Sequence, residues 1–543
     1  MGNSFLEIVK QNKKALICLA FLAVLVYANG LPGDFLSDDK MILTTDLGNF
    51  SQVFSQPRLF LRAFFYFAIY VVFGKNPLFF RLLNLSFHIV STLSIYLIVN
   101  LLKGKKQAWA ASLIFAVHPI LVESVTWISG GGYAQYSAFF LISLLFYILS
   151  NNNKKYYWLS LLFFLMSLFS AEKSFILGAM FFVYQICFEN VKKVWKKAVP
   201  YLSLSLIGGI YYLSRLGERA KLLQVGTYNP VKTTGIPLSY FFQNIATALT
   251  KYLELIFWPQ HLTLYQSEAY TSRFAVTLSL IVLISIAIAL IYGFFKNKNL
   301  FFGLSLFLVS LAPFLTPFGI SWWVAERYAY LASSGIIFII VSFLGHVETN
   351  RPKLKRFFLG LLIVAVACLS IRTIVRNHDW LNEDNLWPAT ARESPSDPKT
   401  HNNMGDYYGR HKNLEMALKE FQKAIELNPK YADAFHNLAN TYLDMGKTDL
   451  AIENYKKAFE LNPNLWQSAQ NLGIIYFQEK DFNQAASYLE KAVELNPDDA
   501  LLHFDLGVVY REQGEKEKSA LEFQKAAQLD PSIEEFLQKQ PTP

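Results

Sequence analysis

From about residue 15 to about residue 375 the chain is a succession of apolar runs separated by short polar loops. The runs fall at about 15–31, 79–102, 107–125, 133–150, 156–171, 174–190, 198–216, 274–294, 300–317, 328–346 and 357–375. A helix needs about 20 mostly apolar residues to cross a bilayer, so the pattern predicts an all-α membrane domain of about eleven transmembrane helices. Two other apolar stretches fit poorly as crossings. Arg58 to Phe73 carries Arg58 and Arg62, and Tyr240 to Trp258 carries Lys251 and Glu254. Letting either cross alone would invert every later loop, so both are read as helices lying in the outer interface.

The loops then give an orientation. Lys10, Lys13 and Lys14; Lys103, Lys105 and Lys106; Lys154 and Lys155; the lysines of 192–197; Lys296 and Lys298; and Arg351, Lys353, Lys355 and Arg356 all fall in one alternating set. A set that is basic throughout is the cytoplasmic one. The amino terminus is therefore expected inside, and an odd number of crossings puts the carboxy terminus outside. The first run lacks a clear small-x-small cleavage site, so it reads as a retained helix rather than a signal peptide.

Beyond residue 394 the pattern changes to a 34-residue period. Asn428-Pro429, Asn462-Pro463, Asn496-Pro497 and Asp530-Pro531 keep that step, as do Gly405, Ala439, Gly473 and Gly507, then Tyr408, Tyr442, Tyr476 and Tyr510, then Ala424, Ala458, Ala492 and Ala526. Small residues let paired helices approach, aromatics fill between them and proline ends the second helix. These are four tetratricopeptide repeats, at about 397–430, 431–464, 465–498 and 499–532, forming an α-solenoid with a concave surface suited to a peptide or protein. The expected organisation is a membrane domain over 1–376, a linker or partial repeat over 377–394 and a repeat domain over 395–543.

Charge divides the chain at the same place. From Pro395 onward 16 Lys and Arg face 24 Asp and Glu, a net of −8, so with +9 overall the preceding part carries +17. An acidic soluble part excludes nucleic acid as the expected partner. Hydrophobic residues make up 53% of the sequence, which points to the lipid bilayer as an environment. Three cysteines, Cys18, Cys187 and Cys368, sit in apolar runs and imply neither a disulfide framework nor a zinc site.

Ionisable residues at membrane depth are costly and usually face a pocket or a partner. Here they gather toward the outer side. Asp38 and Asp39 follow the first run; taken alone the pair reads as a solvated acidic turn, and because adjacent carboxylates at an apolar boundary repel, it also reads as a pair that keeps one proton or shares a cation such as magnesium or manganese. Arg81, Asn84 and His88 share one helical face of the second run. His118 and Glu123 close the third, Glu172 and Lys173 lie between the fifth and sixth, and Glu326 with Arg327 opens the tenth. Singly, each reads as a cap or a buried ion pair; together they outline an outward-facing cavity. In such a cavity Asp38 or Asp39 would act as general base. Arg327, Lys173 and Arg81 are the cations such a cavity would offer, and Glu123 and His118 are further polar groups beside them.

These residues carry a resemblance. Asp38-Asp39, the face of Arg81, Asn84 and His88, His118-Pro119 with Glu123, Glu172-Lys173, Ala325-Glu326-Arg327-Tyr328, and Arg376-Asn377-His378-Asp379-Trp380 ahead of tetratricopeptide repeats resemble the TMTC family. That family comprises transmembrane and tetratricopeptide-repeat O-mannosyltransferases of the GT-C class. The chain departs from it at Ala171-Glu172-Lys173, at Ser129-Gly130-Gly131-Gly132-Tyr133, where relatives carry an Arg-x-Glu-like turn, and in having fewer repeats. The resemblance implies transfer of a mannose-like sugar from a polyprenyl- or dolichyl-phosphate donor to a protein Ser or Thr hydroxyl, on the extracytoplasmic side of the cell membrane or the endoplasmic reticulum membrane. On that resemblance Asp38 or Asp39 would take the acceptor hydroxyl's proton, Arg327 with Lys173 or Arg81 would neutralise the leaving phosphate, Glu123 and His118 would orient the sugar or the base, and the repeats would hold the acceptor protein or peptide.

Other classes predict other features. A polysaccharide polymerase or oligosaccharide ligase would carry a long external loop rich in catalytic arginine and histidine, which the stretches Pro32–Leu78 and Gly217–Phe274 do not offer. A non-catalytic scaffold presenting the repeats would not need Asp38 or Asp39. A transporter would show matched inverted repeats of broken helices.

Overall fold

The computed structural model describes residues 4–40, 60–151, 153–214, 238–266, 272–315 and 322–533, with no strand among them. Arg58 lies outside these residues, as do the ends of the 198–216 and 300–317 runs. The chain divides into two compact units, one reaching Glu393 and the other beginning at Ser394. The stretch expected as a linker thus belongs almost wholly to the first unit. The Asp34 N–H donates to the Leu381 carbonyl at 2.7 Å, and Lys40 pairs with Glu383 at 2.8 Å.

Within the first unit the helices are α1 (Phe5–Tyr27), α2 (Phe60–Phe73), α3 (Pro77–Lys103), α4 (Lys105–Val117), α5 (Gly132–Leu149), α6 (Lys154–Ser170), α7 (Ala179–Phe188), α8 (Val199–Ser214), α9 (Leu238–Phe257), α10 (Arg273–Lys296), α11 (Lys298–Leu311), α12 (Ala329–Asn350), α13 (Lys355–Asp379) and α14 (Glu383–Glu393). Their boundaries have local causes. Asn76 and Asn153 cap α3 and α6 by accepting backbone N–H groups, and α3 turns into α4 on Gly104, whose φ of +92° is open to glycine. The run expected at 107–125 is bent by 53° where His118-Pro119 interrupts it, because proline cannot donate to the preceding turn.

Among the described residues six helices are long and apolar enough to cross a membrane, seven if the bent pair counts as one. This is the helix content of a multi-pass membrane protein. The runs expected at 156–171, 174–190, 198–216 and 300–317 are α-helices of 17, 10, 16 and 14 residues, shorter than a full span. Much of the difference in the second of these is the stretch Glu172–Gly178, which is wound as a 3-10 helix. Six of the residues singled out for chemistry sit on such 3-10 turns, at Ser37–Lys40, Glu172–Gly178 and Glu326–Tyr328, and Ser129–Gly131 forms another.

The second unit pairs helices of 13 and 14 residues: Pro398–Arg410 with Leu414–Leu427, Ala432–Asp444 with Thr448–Leu461, Trp466–Gln478 with Phe482–Leu495, and Ala500–Glu512 with Lys516–Leu529. The periodic small residues mark the close approaches. A Cβ on Gly405 would lie 2.5 Å from the Phe421 ring, one on Gly473 2.6 Å from Leu489, and one on Gly507 2.8 Å from Phe523. The turn inside each repeat has a period of its own: Lys412, Gly446, Lys480 and Gly514 all have positive φ, at 59°, 73°, 65° and 82°. Glycine takes that conformation freely, whereas a side chain pays about 1–2 kcal/mol. Lys480→Gly is therefore expected to raise the thermal midpoint of the repeat unit by a few degrees, and Gly514→Lys to lower it, as followed by circular dichroism; an unchanged midpoint in both would mean the turns are not strained.

Candidate functional site

The chain leaving α1 is fixed by Arg81. Its guanidinium, buried in α3, donates to the carbonyls of Gly30 (2.6 Å), Trp380 (3.1 Å) and Asp34 (2.6 Å), and it fills the space a Cβ on Gly33 would need. From this anchor the chain enters the Ser37–Lys40 turn, where the two aspartates part. Asp38 is exposed and Asp39 fully buried. The two carboxylates thus have different surroundings, and among the described residues no three His, Cys, Asp or Glu side chains gather into a metal-binding group.

Asp39 accepts from the backbone N–H of Leu36 at 3.2 Å and of Ser129 at 2.7 Å. Burial pushes its carboxyl up to about 6, against the opposing pull of these hydrogen bonds and of Arg81. A carboxyl poised there suits proton abstraction near neutral pH.

The turn that Asp39 grips is the centre of the arrangement. Arg62 in α2 donates to the carbonyl of the same Ser129 at 2.7 Å, Tyr66 donates to that of Ile128 at 3.0 Å, and Asn84 to that of Trp127 at 3.0 Å. Trp127 donates its indole N–H to the Leu36 carbonyl at 3.4 Å and stacks on Trp380, with ring centroids 5.5 Å apart. The three glycines that follow have no room for side chains: Cβ atoms would run into the Glu123 carbonyl from Gly130, into the Asn84 amide from Gly131, and to within 2.6 Å of Arg62 from Gly132. Gly131→Ala is expected to displace Asn84 and cost at least about 1–3 kcal/mol, as overpacking does, measured as lost folded yield and a lower unfolding midpoint. Gly104→Ala would cost only its backbone strain, since nothing but Gln107 lies within 4 Å of it.

On the far side of this turn Glu123, fully buried, accepts the backbone N–H of Arg327 at 2.7 Å and pairs with its guanidinium. Arg327 also lies over the rings of Tyr328 and Trp127, at 4.9 and 5.6 Å. Tyr328 stacks on Phe314 at 3.8 Å, and Lys173 places its ammonium 4.6, 5.3 and 6.0 Å from the rings of Phe314, Tyr328 and Tyr133. Arg327 and Lys173 thus converge on the aromatic group of Tyr133, Phe314 and Tyr328. Arg62 closes on the adjoining Gly132.

Other expected residues have different duties. Glu326 pairs with buried Arg376 at 3.2 Å, which in turn meets Asp379 at 3.0 Å. His88 donates from Nε2 to the Ala116 carbonyl at 3.1 Å and so accepts the Tyr330 hydroxyl at Nδ1, 2.9 Å away. His118 donates to the Ile256 carbonyl at 2.9 Å and accepts from the Ile120 N–H at 3.3 Å, which makes it the cap of the bend rather than an orienting group. Arg81, with both Nη atoms on carbonyls, is a clamp rather than a phosphate ligand. Glu172 is buried at the head of the turn that carries Lys173. Arg62, expected among headgroups, is instead drawn inward by the Ser129 carbonyl, and nothing in its apolar surroundings along the sequence signals that partner.

Tetratricopeptide repeat models match residues 432–465 and 471–532, and a TPR repeat model matches 412–446. Over the longer span the chain is 24% identical to the protein O-mannosyl-transferase TMTC3 of Mus musculus, across 70% of this chain and 45% of that protein. The chain is TMTC-like. This TMTC-like chain is also similar to protein O-mannosyl-transferase F38B6.6 of Caenorhabditis elegans, 24% identical over 78% of this chain and 64% of that one. The chain spans less than half the length of the mouse relative. A crystal structure of MamA matches 28% of this TMTC-like chain and 89% of its own, at 18% identity and a TM-score of 0.26, and adds nothing to the assignment.

Proposed function

We propose that this chain is a membrane O-mannosyltransferase that takes a mannose-like sugar from a polyprenyl- or dolichyl-phosphate donor and places it on a Ser or Thr hydroxyl at the extracytoplasmic face. The observation that carries the reading is the Ser129–Tyr133 turn, which holds a buried carboxylate on its Ser129 N–H and the cation Arg62 on its Ser129 carbonyl. Beside it stand Arg327 and the ring-held Lys173. The names of the similar proteins support the same chemistry. Asp39 takes the proton of the acceptor hydroxyl, whose oxygen attacks the anomeric carbon with inversion. The bond to the donor phosphate breaks, and Arg327, Lys173 and Arg62 neutralise the departing anion, with the guanidinium forks the better match to its oxygens. The repeats hold the acceptor.

Mass spectrometry of proteins from cells with and without this chain tests the reading, together with purified chain, polyprenyl-phosphate mannose and a Ser/Thr peptide. A gain of one hexose on the peptide is expected; its absence with a donor that demonstrably binds would leave a scaffold. The reading also needs an odd number of crossings, with the amino terminus inside and the repeats outside. A cysteine placed at Gly104 should then be protected from an impermeant thiol reagent in intact cells, and one at Gly514 should label. Equal behaviour of the two would mean an even number of crossings.

A further inference from the structure

At the end of the first unit that carries the basic loops, α4, α12 and α13 leave a groove between them of about 430 Å³. Trp109, Leu113, Leu344, Phe358 and Leu362 make its walls, and Lys106, Lys355 and Glu348 also line it. Both lysines are exposed. The helices meet closely beneath it: a Cβ on Gly345 would lie 2.5 Å from Gln107 Nε2.

A volume of this size lies in the range of small-ligand sites and equals roughly one turn of a helix about 10 Å across, which is too little for a partner helix. Apolar walls with two ammonium groups against one carboxylate call for a ligand with a hydrocarbon body and an anionic head. The neighbouring loop residues Lys105, Arg351, Lys353 and Arg356 have the same sign. Such a basic rim belongs on the leaflet that holds anionic lipid. We propose that this groove binds one anionic phospholipid, with an acyl chain against Phe358 and Leu113 and its phosphodiester between Lys106 and Lys355. The site lies on different helix ends from the Ser129 turn, so it is independent of the transferase reading.

Native mass spectrometry of the purified full chain, loaded with phosphatidylglycerol or phosphatidylcholine of identical acyl chains, tests this. Phosphatidylglycerol is expected to be retained roughly tenfold better or more, since each lysine at an anionic headgroup contributes about 1 kcal/mol. The double variant Lys106→Gln, Lys355→Gln should lose that preference, and Lys10→Gln should keep it. Ala110→Trp, which fills the groove, should release both lipids. Equal retention of the two lipids by the parent chain overturns the proposal whatever the variants do. So does an undiminished preference in the double variant, or displacement of phosphatidylglycerol by millimolar glycerol 3-phosphate, which would make this a site for free phosphate.

Discussion

Asp39→Asn is expected to lower sugar transfer about 10²–10⁴-fold, the usual cost of losing a positioned base, while Asp38→Asn stays near the parent rate. The two differ in placement: Asp39 is buried with both oxygens on backbone N–H groups, and Asp38 is exposed. A base must be ionised, so transfer by the parent should rise with pH through about 6, where burial holds the Asp39 carboxyl. Stability runs the other way. Because the folded value lies above the unfolded one, the fold favours protonated Asp39; that contribution is complete below the ordinary carboxyl range and is lost as pH rises through about 6. The parent is thus most active where this residue stabilises it least. Initial rates and unfolding midpoints measured from pH 5 to 8 separate the two curves. Parent-level transfer by Asp39→Asn would reduce the residue to a pin for the Ser129 turn.

Glu123→Ala is expected to cost about 3–5 kcal/mol, the penalty for stranding a buried charge. That is a large share of the total stability of a typical domain, and it would appear as aggregation or loss from the membrane fraction. Arg327→Lys separates fold from chemistry. It keeps the charge beside Glu123 but loses the planar fork, so transfer should fall about 10²-fold, as on removal of one charge-stabilising donor, with the unfolding midpoint changed little. If instead Arg327→Lys unfolds the unit and Lys173→Gln alone abolishes transfer, the phosphate belongs to Lys173 and the Glu123–Arg327 pair is structural.

Much of this is legible along the chain because the responsible forces are local. The repeat unit reveals itself through small residues that must face a neighbour, as Gly405 faces Phe421. Asp39, Glu123 and Arg327 stand out because charge beside an apolar run is costly. What is not legible depends on groups distant in sequence. Arg62 meets Ser129 across 67 residues, and no period or cap announces it. His88 and His118 look like chemistry for the same reason Asp39 does, yet neighbouring carbonyls and donors occupy both ring nitrogens. The left-handed position in each repeat is hidden because lysine occupies it in two of the four. The shortness of Ala179–Phe188 escapes notice because apolar composition continues back through Glu172–Gly178, which the backbone winds as a 3-10 helix.

Arg81 joins carbonyls from opposite ends of the membrane unit, Gly30 and Trp380, and Asn377 adds a bond back to the Val26 carbonyl at 2.9 Å. A ribosome adding about 5–20 residues per second delivers the second of these partners on the order of half a minute after the first. Throughout that interval Arg81 holds only the Gly30 and Asp34 carbonyls, and the Ser37–Lys40 turn lacks its contacts to Trp380, Leu381 and Glu383. A nascent chain can therefore hold Arg62, Lys173 and Arg327 before the chain leaving α1 is fully clamped. Completion of the last membrane helix is what closes the clamp, so on the proposed transferase reading a half-made chain lacks the finished Asp39 turn.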